Sequence, residues 1–333
     1  VTPWFLVTVD TEEEGLWRGR YAAEGNSVRN IEQVPLFQQL CDHWGVRPTY
    51  LVDAPVVEDK TAVAILRRIA EQERCEIGAH VHPWCNPPLT EFSGPRDSYL
   101  CNLPAELQRE KIAWLTEQIA DRFGERPTSF RAGRYGLDDT GARLLIEFGY
   151  TVDSSVIPFT DYSHDGGPNF TDAPYQPYRI DSELCQPSAS GPLLELPVSV
   201  GYNWRDFRRA DRWFRLCQDG IRRQMHLEGL LNRLGMLQRI KLSPEQATAA
   251  QMNVLVDRLL EQGSRAVVLM FHSSSLLPGA SPYVRNESEL QEFWRRLEQT
   301  FRHCVHRRGM RTGTLREFES ALRAVSVPLS AVR

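Results

Sequence analysis

No two of the seven cysteines in this chain, at positions 41, 75, 85, 101, 185, 217 and 304, form a C-x-x-C pair, and their number is odd. They read as reduced thiols of a cytosolic protein, not as a disulfide framework. No run approaches ~18 consecutive apolar residues, which excludes a transmembrane helix. The opening residues, Trp4-Phe5-Leu6-Val7-Thr8-Val9, lack the basic start and the small-residue cleavage site of a signal peptide. Cytoplasmic placement is therefore the expectation, for a chain that does not begin with Met. Neither sign of charge dominates: the net charge of −4 gives no basic footprint for nucleic acid or for an anionic membrane surface. Internal repeats, low-complexity tracts and interdomain linkers are also missing. What is there is ordinary globular composition, 41% hydrophobic and 25% charged. A chain of 333 residues can bury a sizeable core without staples and is within the range of one α/β barrel.

Strand-like and helix-like stretches alternate along it. Trp4–Val9 is aromatic and β-branched, a buried strand that runs into Asp10-Thr11-Glu12-Glu13-Glu14. Val34, Phe37, Leu40, Cys41 and Trp44 then keep helical spacing until Gly45. Further strands are expected at Pro48–Asp53, Cys75–His80, Pro127–Arg131, Thr151–Asp153, Leu193–Val200 and Ala266–Phe271, with a short one near Met310–Thr312. Helices are expected between them, one capped by Asp138 and the last by Thr314 with Glu317 three residues on. Ser243-Pro-Glu-Gln246 also has the form of a capping box. Two stretches break the rhythm. Residues 156–191, rich in Pro, Gly, Asp and Ser, read as a loop insertion over the open end of the sheet, and 205–262 as a helical insertion. The pattern predicts a single α/β domain over residues 1–333, a distorted (β/α) barrel of seven or eight parallel strands.

The polar residues of interest fall at strand ends. His80 and His82 close the Glu76-Ile-Gly-Ala-His-Val-His strand two residues apart, so on an extended backbone both imidazoles can reach one point. By itself such a pair means little; its company gives it weight. Asp10 and Glu12 are likewise two apart, so one can ligate a metal while the other stays available as a base. A carboxylate with two histidines makes a shell for Zn²⁺, Co²⁺ or Fe²⁺, where the metal would polarise a carbonyl and acidify bound water. Arg131 at its strand end needs a partner, for which Asp153 on the next strand is the candidate. It would orient and tune the catalytic carboxylate. His272 ends a nearly all-apolar strand, placed to protonate a leaving amine. Gly133 and Gly136 around Tyr135 suggest a turn that brings backbone N–H groups to a substrate oxyanion. Asp10, His80, Arg131, Asp153 and His272 stand on five different strands, at the face where a parallel barrel carries its active site.

The order of these segments resembles the polysaccharide deacetylases of carbohydrate esterase family 4, the NodB-homology fold. The resemblance rests on Thr8-Val-Asp10-Thr-Glu12, the Glu-Ile-Gly strand with its histidines, Phe130-Arg131-Ala-Gly-Arg-Tyr135-Gly136, Val152-Asp153-Ser-Ser and Leu269-Met-Phe-His272, and spans roughly residues 4 to 320. Glu-Ile-Gly-Ala-His-Val-His-Pro-Trp and His-Ser-Ser-Ser-Leu resemble the WalW-like lipopolysaccharide-biosynthesis branch. The resemblance implies Asp10 as base, His80 and His82 as metal ligands, Arg131 as tuner of the base and His272 as general acid. The chain departs from the family in two places. Thr11 stands where a second Asp is usual, leaving Glu12 as the candidate third ligand, and the histidines are two apart instead of four. The implied activity is metal-dependent removal of an N-acetyl or other N-acyl group from an amino sugar, presented on a nucleotide, a lipid or an oligosaccharide. Hydrolysis of a non-sugar C–N bond, or sugar binding without catalysis, are the alternatives.

Overall fold

The apolar runs expected to form strands do so. A computed structural model describes residues 2–16, 21–218 and 227–326. Its strands are β1 (Trp4–Thr11), β2 (Thr49–Val52), β3 (Glu76–Val81), β4 (Ser129–Ala132), β5 (Val152–Asp153), β6 (Tyr178–Ile180), β7 (Leu193–Glu195), β8 (Val200–Tyr202), β9 (Arg239–Lys241), β10 (Ala266–His272) and β11 (Arg311–Gly313). β10, β1, β2, β3, β4, β5 and β7 pair in that order, all parallel, and β11 joins the start of β1, also in parallel. β6 is an antiparallel edge on β7. Between β7 and β10 the curled sheet is bridged by single bonds, not a ladder. Ser199 N–H donates to the Val268 carbonyl (3.2 Å) and Met270 N–H to that of Leu242 (3.1 Å). The result is a distorted α/β barrel with eight parallel strands, as expected.

Departures from expectation are local. Leu193–Val200 splits at Pro197, which has no N–H to give a ladder, so β8 leaves the barrel to pair with β9 in a separate two-stranded antiparallel sheet. β6 lies within 156–191 and β9 within 205–262, and three-residue strands are too short to show alternation. The rest of 205–262 carries helices Phe207–Gln218, Leu227–Arg233 and Ala249–Glu261, while 219–226 lie outside the described residues. The capping box stands five residues later than expected: Thr248 Oγ1 accepts from Gln251 N–H (3.3 Å) and the Gln251 side chain from Thr248 N–H (2.9 Å). Ser243–Gln246 forms a turn that carries Glu245 to the end of β10.

Alternation along β1 sorts the core into two layers. Phe5, Val7 and Val9 pack outward beneath the helices. Trp4 and Leu6 pack with Val152, Leu194, Leu196, Ala266 and Val268, over a floor of Leu315 and Phe318 from the final helix, Leu315–Ser326. Thr8 and Asp10 continue this inner face upward, so the interior is apolar at its base and polar at the strands' C-terminal ends. At the base, buried Glu76 accepts from Ser129 Oγ (2.6 Å), Thr49 Oγ1 (3.0 Å) and Arg316 N–H (3.1 Å), tying three strands to the final helix. Thr314 and Glu317 cap that helix reciprocally. All seven cysteines are free, and among the described residues no helix is long and apolar enough to cross a membrane.

Candidate active site

Strand register assembles the site. β1 and β10 pair with Asp10 beside His272, and β3 and β4 pair with His80 beside Arg131. In-register neighbours of a parallel pair share a face, so all four side chains belong to the barrel interior. Arg131 is fully buried and uses every arm. Its Nε donates to the Ser154 carbonyl (2.8 Å), one terminal nitrogen to Asp10 Oδ1 (2.5 Å), and the other to Thr8 Oγ1 (3.0 Å) and Ser154 Oγ (2.8 Å). Burial alone would raise the Asp10 pKa, but the Arg131 guanidinium, helped by His80 and His272, outweighs it and holds the carboxyl far below its usual range. Asp10 is thus kept as a carboxylate inside the protein.

Glu12, His80 and His82 converge two residues further up. Glu12 Oε2 lies 3.4 Å from Nε2 of both histidines. Each ring is turned by its other nitrogen: His80 Nδ1 meets the Arg131 carbonyl (2.9 Å) and His82 Nδ1 meets Glu13 Oε2 (2.8 Å). An Nδ1–H facing an oxygen leaves the Nε2 lone pair pointing at Glu12, the tautomer a metal ligand needs. Burial lowers the His80 pKa to about 3 and that of His82 to about 4, so both rings are neutral at neutral pH. The Glu12 carboxyl is pushed well up by burial and by Asp10, Glu13, Asp53 and Glu245, and its Oε1 is buried without a hydrogen-bond partner. An orphaned oxygen, two preset imidazoles and an excess of buried acid fit a divalent cation. Gly133 backs this set, because a Cβ there would overlap the His82 ring.

His272 is held on the other side. Glu245 accepts from its backbone N–H (3.0 Å) and faces its Nδ1 at 2.9 Å, and Ser275 Oγ fixes the same carboxylate (2.6 Å). Nε2 then looks across the cleft, 4.0 Å from Asp10 Oδ2. Tyr135 lines the cleft through its hydroxyl, which accepts from Lys241 Nζ (2.7 Å) and donates toward Met270 Sδ (3.6 Å). Burial lowers the Lys241 pKa to about 8, against the pull of Glu245 and Asp10. The turn expected around Tyr135 is present, with Arg134 and Tyr135 both at positive φ, but two of its N–H groups bond within the turn: Gly136 to the Gly133 carbonyl and Leu137 to that of Tyr135 (3.0 Å each).

Asp153 is not part of this constellation. It is in register with Phe130, not Arg131, so its side chain lies on the opposite face of the sheet. There it faces Glu195 on β7 and accepts from Ser155 Oγ (2.7 Å). The residue that reaches Arg131 is Ser154, and Arg131's carboxylate partner is Asp10. Other participants went unselected in the sequence. Glu13 and Asp53 stand behind His82, Asp53 Oδ2 accepting from Glu13 N–H (3.0 Å) and lying 3.6 Å from His82 Nδ1. Asp53 carried the available signal, an acid at the end of a predicted strand. Glu245 and Lys241 carried none, since both come from the insertion.

These groups open into a cleft of about 390 Å³ lined also by Tyr21, Trp84, Tyr99, Tyr162 and Tyr283. Larger depressions, of about 460, 670 and 810 Å³, lie away from the converging polar groups. No family model and no curated protein matches the chain. Solved structures do match in fold. A protein from Parabacteroides distasonis described as a glycoside hydrolase/deacetylase superimposes with a TM-score of 0.62 at 15% identity, over 97% of this chain and 72% of its own. One from Mycobacterium smegmatis described as a polysaccharide deacetylase gives 0.57 at 15%, over 100% and 95%. Puue allantoinase gives 0.53 at 12%, over 97% and 90%.

Proposed function

We propose that the chain is a metal-dependent amide hydrolase of the carbohydrate esterase family 4 type, removing an N-acetyl or other N-acyl group from an amino sugar. The observation that carries this reading is the pairing of Asp10 with Arg131 and of His272 with Glu245 across one cleft from the Glu12–His80–His82 triad. A transition-metal ion (Zn²⁺, Co²⁺ or Fe²⁺) held by the triad would supply Lewis-acid polarisation of the acyl carbonyl and activation of water. Asp10, kept ionised by Arg131, takes the proton from the attacking water at its Oδ2. His272 has Nδ1 committed to Glu245, so Nε2 is the atom that delivers a proton to the departing amine. The Tyr135 hydroxyl, polarised by Lys241, would turn its proton from the weak acceptor Met270 Sδ to the developing oxyanion. The aromatic walls suit the apolar faces of a sugar ring. The motif resemblance to the WalW-like branch directs the reading toward sugars of polysaccharide or lipopolysaccharide biosynthesis.

The test is acetate release from N-acetylglucosamine oligomers and from UDP-N-acetylglucosamine by Co²⁺- or Zn²⁺-loaded protein. Asp10→Asn should abolish turnover while sugar affinity persists. Turnover confined to formamides or cyclic amides would replace the sugar by a different C–N substrate. Sugar affinity without turnover in the unsubstituted protein would leave a binding protein.

A further inference from the structure

Exposed apolar surface is concentrated in one place on this molecule. Of the eight large hydrophobic side chains exposed among the described residues, five belong to one segment: Trp213, Leu216, Leu230, Leu234 and Met236. Trp213 and Leu216 stand on the helix Phe207–Gln218, which buries Phe207, Ala210, Phe214 and Cys217 on its inner side. At 3.6 residues per turn, its outer side carries Arg208, Arg209, Arg212 and Arg215 interleaved with that Trp and Leu. Arg215 is neutralised by Asp211 (2.5 Å) and Asp172 (3.4 Å). Arg208, Arg209 and Arg212 have no carboxylate partner among the described residues, and neither does Arg233 on the neighbouring helix Leu227–Arg233, which packs against the first. The turn that follows is anchored, with Trp204 Nε1 donating to the Met236 carbonyl (2.6 Å) and Asn203 Nδ2 to that of Gly235 (2.8 Å).

Exposed Trp, Leu and Met beside guanidinium groups that lack a carboxylate partner among the described residues leave apolar area in water that a partner would cover. They complement a surface with an anionic outer layer over an apolar interior: Arg reaches phosphates, Trp sits at head-group level and aliphatic side chains enter the acyl boundary. We propose that this face docks the protein on an anionic lipid bilayer. The net charge of −4 over the whole chain averages the face away, which is why composition gives no sign of it. The face also borders a route inward. Asn232, between Leu230 and Leu234, lines a side chamber of about 380 Å³ that shares Tyr162, Lys241 and Gln246 with the catalytic cleft.

Vesicle sedimentation with the full chain tests this without reference to catalysis. The protein should pellet with vesicles of equal phosphatidylcholine and phosphatidylglycerol, remain in solution with phosphatidylcholine alone, and be released as salt approaches about 1 M. The double variant Arg209→Glu, Arg212→Glu should lose about tenfold or more in vesicle affinity, and Trp213→Ala with Leu230→Ser several-fold, with unchanged circular dichroism. Failure of the unsubstituted protein to pellet with phosphatidylglycerol vesicles overturns the proposal. So does pelleting that ignores the charge reversal. Self-association in analytical ultracentrifugation that the same variants abolish, without vesicle binding, assigns the face to a second copy of the chain instead.

Discussion

Arg131 is the residue on which the proposed base, Asp10, depends. It is fully buried and its carboxylate partner is the cleft's own Asp10. Replacing it by Gln leaves that carboxylate buried without its cation, which should cost about 3–5 kcal/mol in denaturant unfolding. The same change has a signature that mere destabilisation lacks. With the guanidinium gone, burial raises the Asp10 pKa, the base protonates at higher pH, and the acid limb of the kcat/KM profile moves upward. The two histidines shift in the direction that favours metal binding. Because burial lowers them to about 3 and about 4, both rings should remain neutral at pH 5.5, where a free imidazole is mostly charged. Imidazole ¹⁵N shifts of the metal-free protein read this directly. An ammonium-like charge on either ring at that pH would refute the tautomer assignment.

At the scale of elements, the strand ends carried most of the information. Asp10, His80, Arg131 and His272 could be placed because buried parallel strands read as apolar runs whose first polar residue marks the C-terminal end. The same rule misplaced Asp153. β5 has only two residues, too few for alternation to show which face the acid takes, and one residue of slip exchanges Asp153 for Ser154. Glu245 was hidden for a different reason. Ser243-Pro-Glu-Gln246 satisfies the local pattern of a capping box, and only the long-range approach of β10 claims its carboxylate for His272. The exit from β4 makes a sharp prediction. Gly133→Ala places a methyl against the His82 ring and the Val81 carbonyl, so it should cost ~1–3 kcal/mol and weaken metal affinity together. Calorimetric titration with Zn²⁺ beside an unfolding curve checks both. Stability lost with affinity intact would mean that the ring has another way to move.

For the molecule as a whole, the ionisable groups near the cleft are unbalanced: the carboxyls of Asp10, Glu12, Glu13, Asp53 and Glu245 are buried there with only the buried Arg131 and the half-buried Lys241 as cationic side chains. A cation held by the triad would relieve that imbalance and would bind only the folded chain. At a hundredfold excess over Kd it should add about 2.7 kcal/mol of stability, seen as a melting temperature that rises with Zn²⁺ or Co²⁺. Chelator should reverse the gain, and His80→Ala with His82→Ala should show none of it. Topology adds a constraint in time. β1 takes its parallel neighbours from residues 49–52 on one side and from 266–272 and 311–313 on the other. While the ribosome is still at work, the triad's three donors are all out by residue 82, but the edge that receives β10 stays bare until residues 266–272 have emerged. A nascent chain that has not reached β10 therefore presents a sticky strand edge, and a fragment ending before residue 266 would keep the proposed ion ligands but lack His272, the proposed acid.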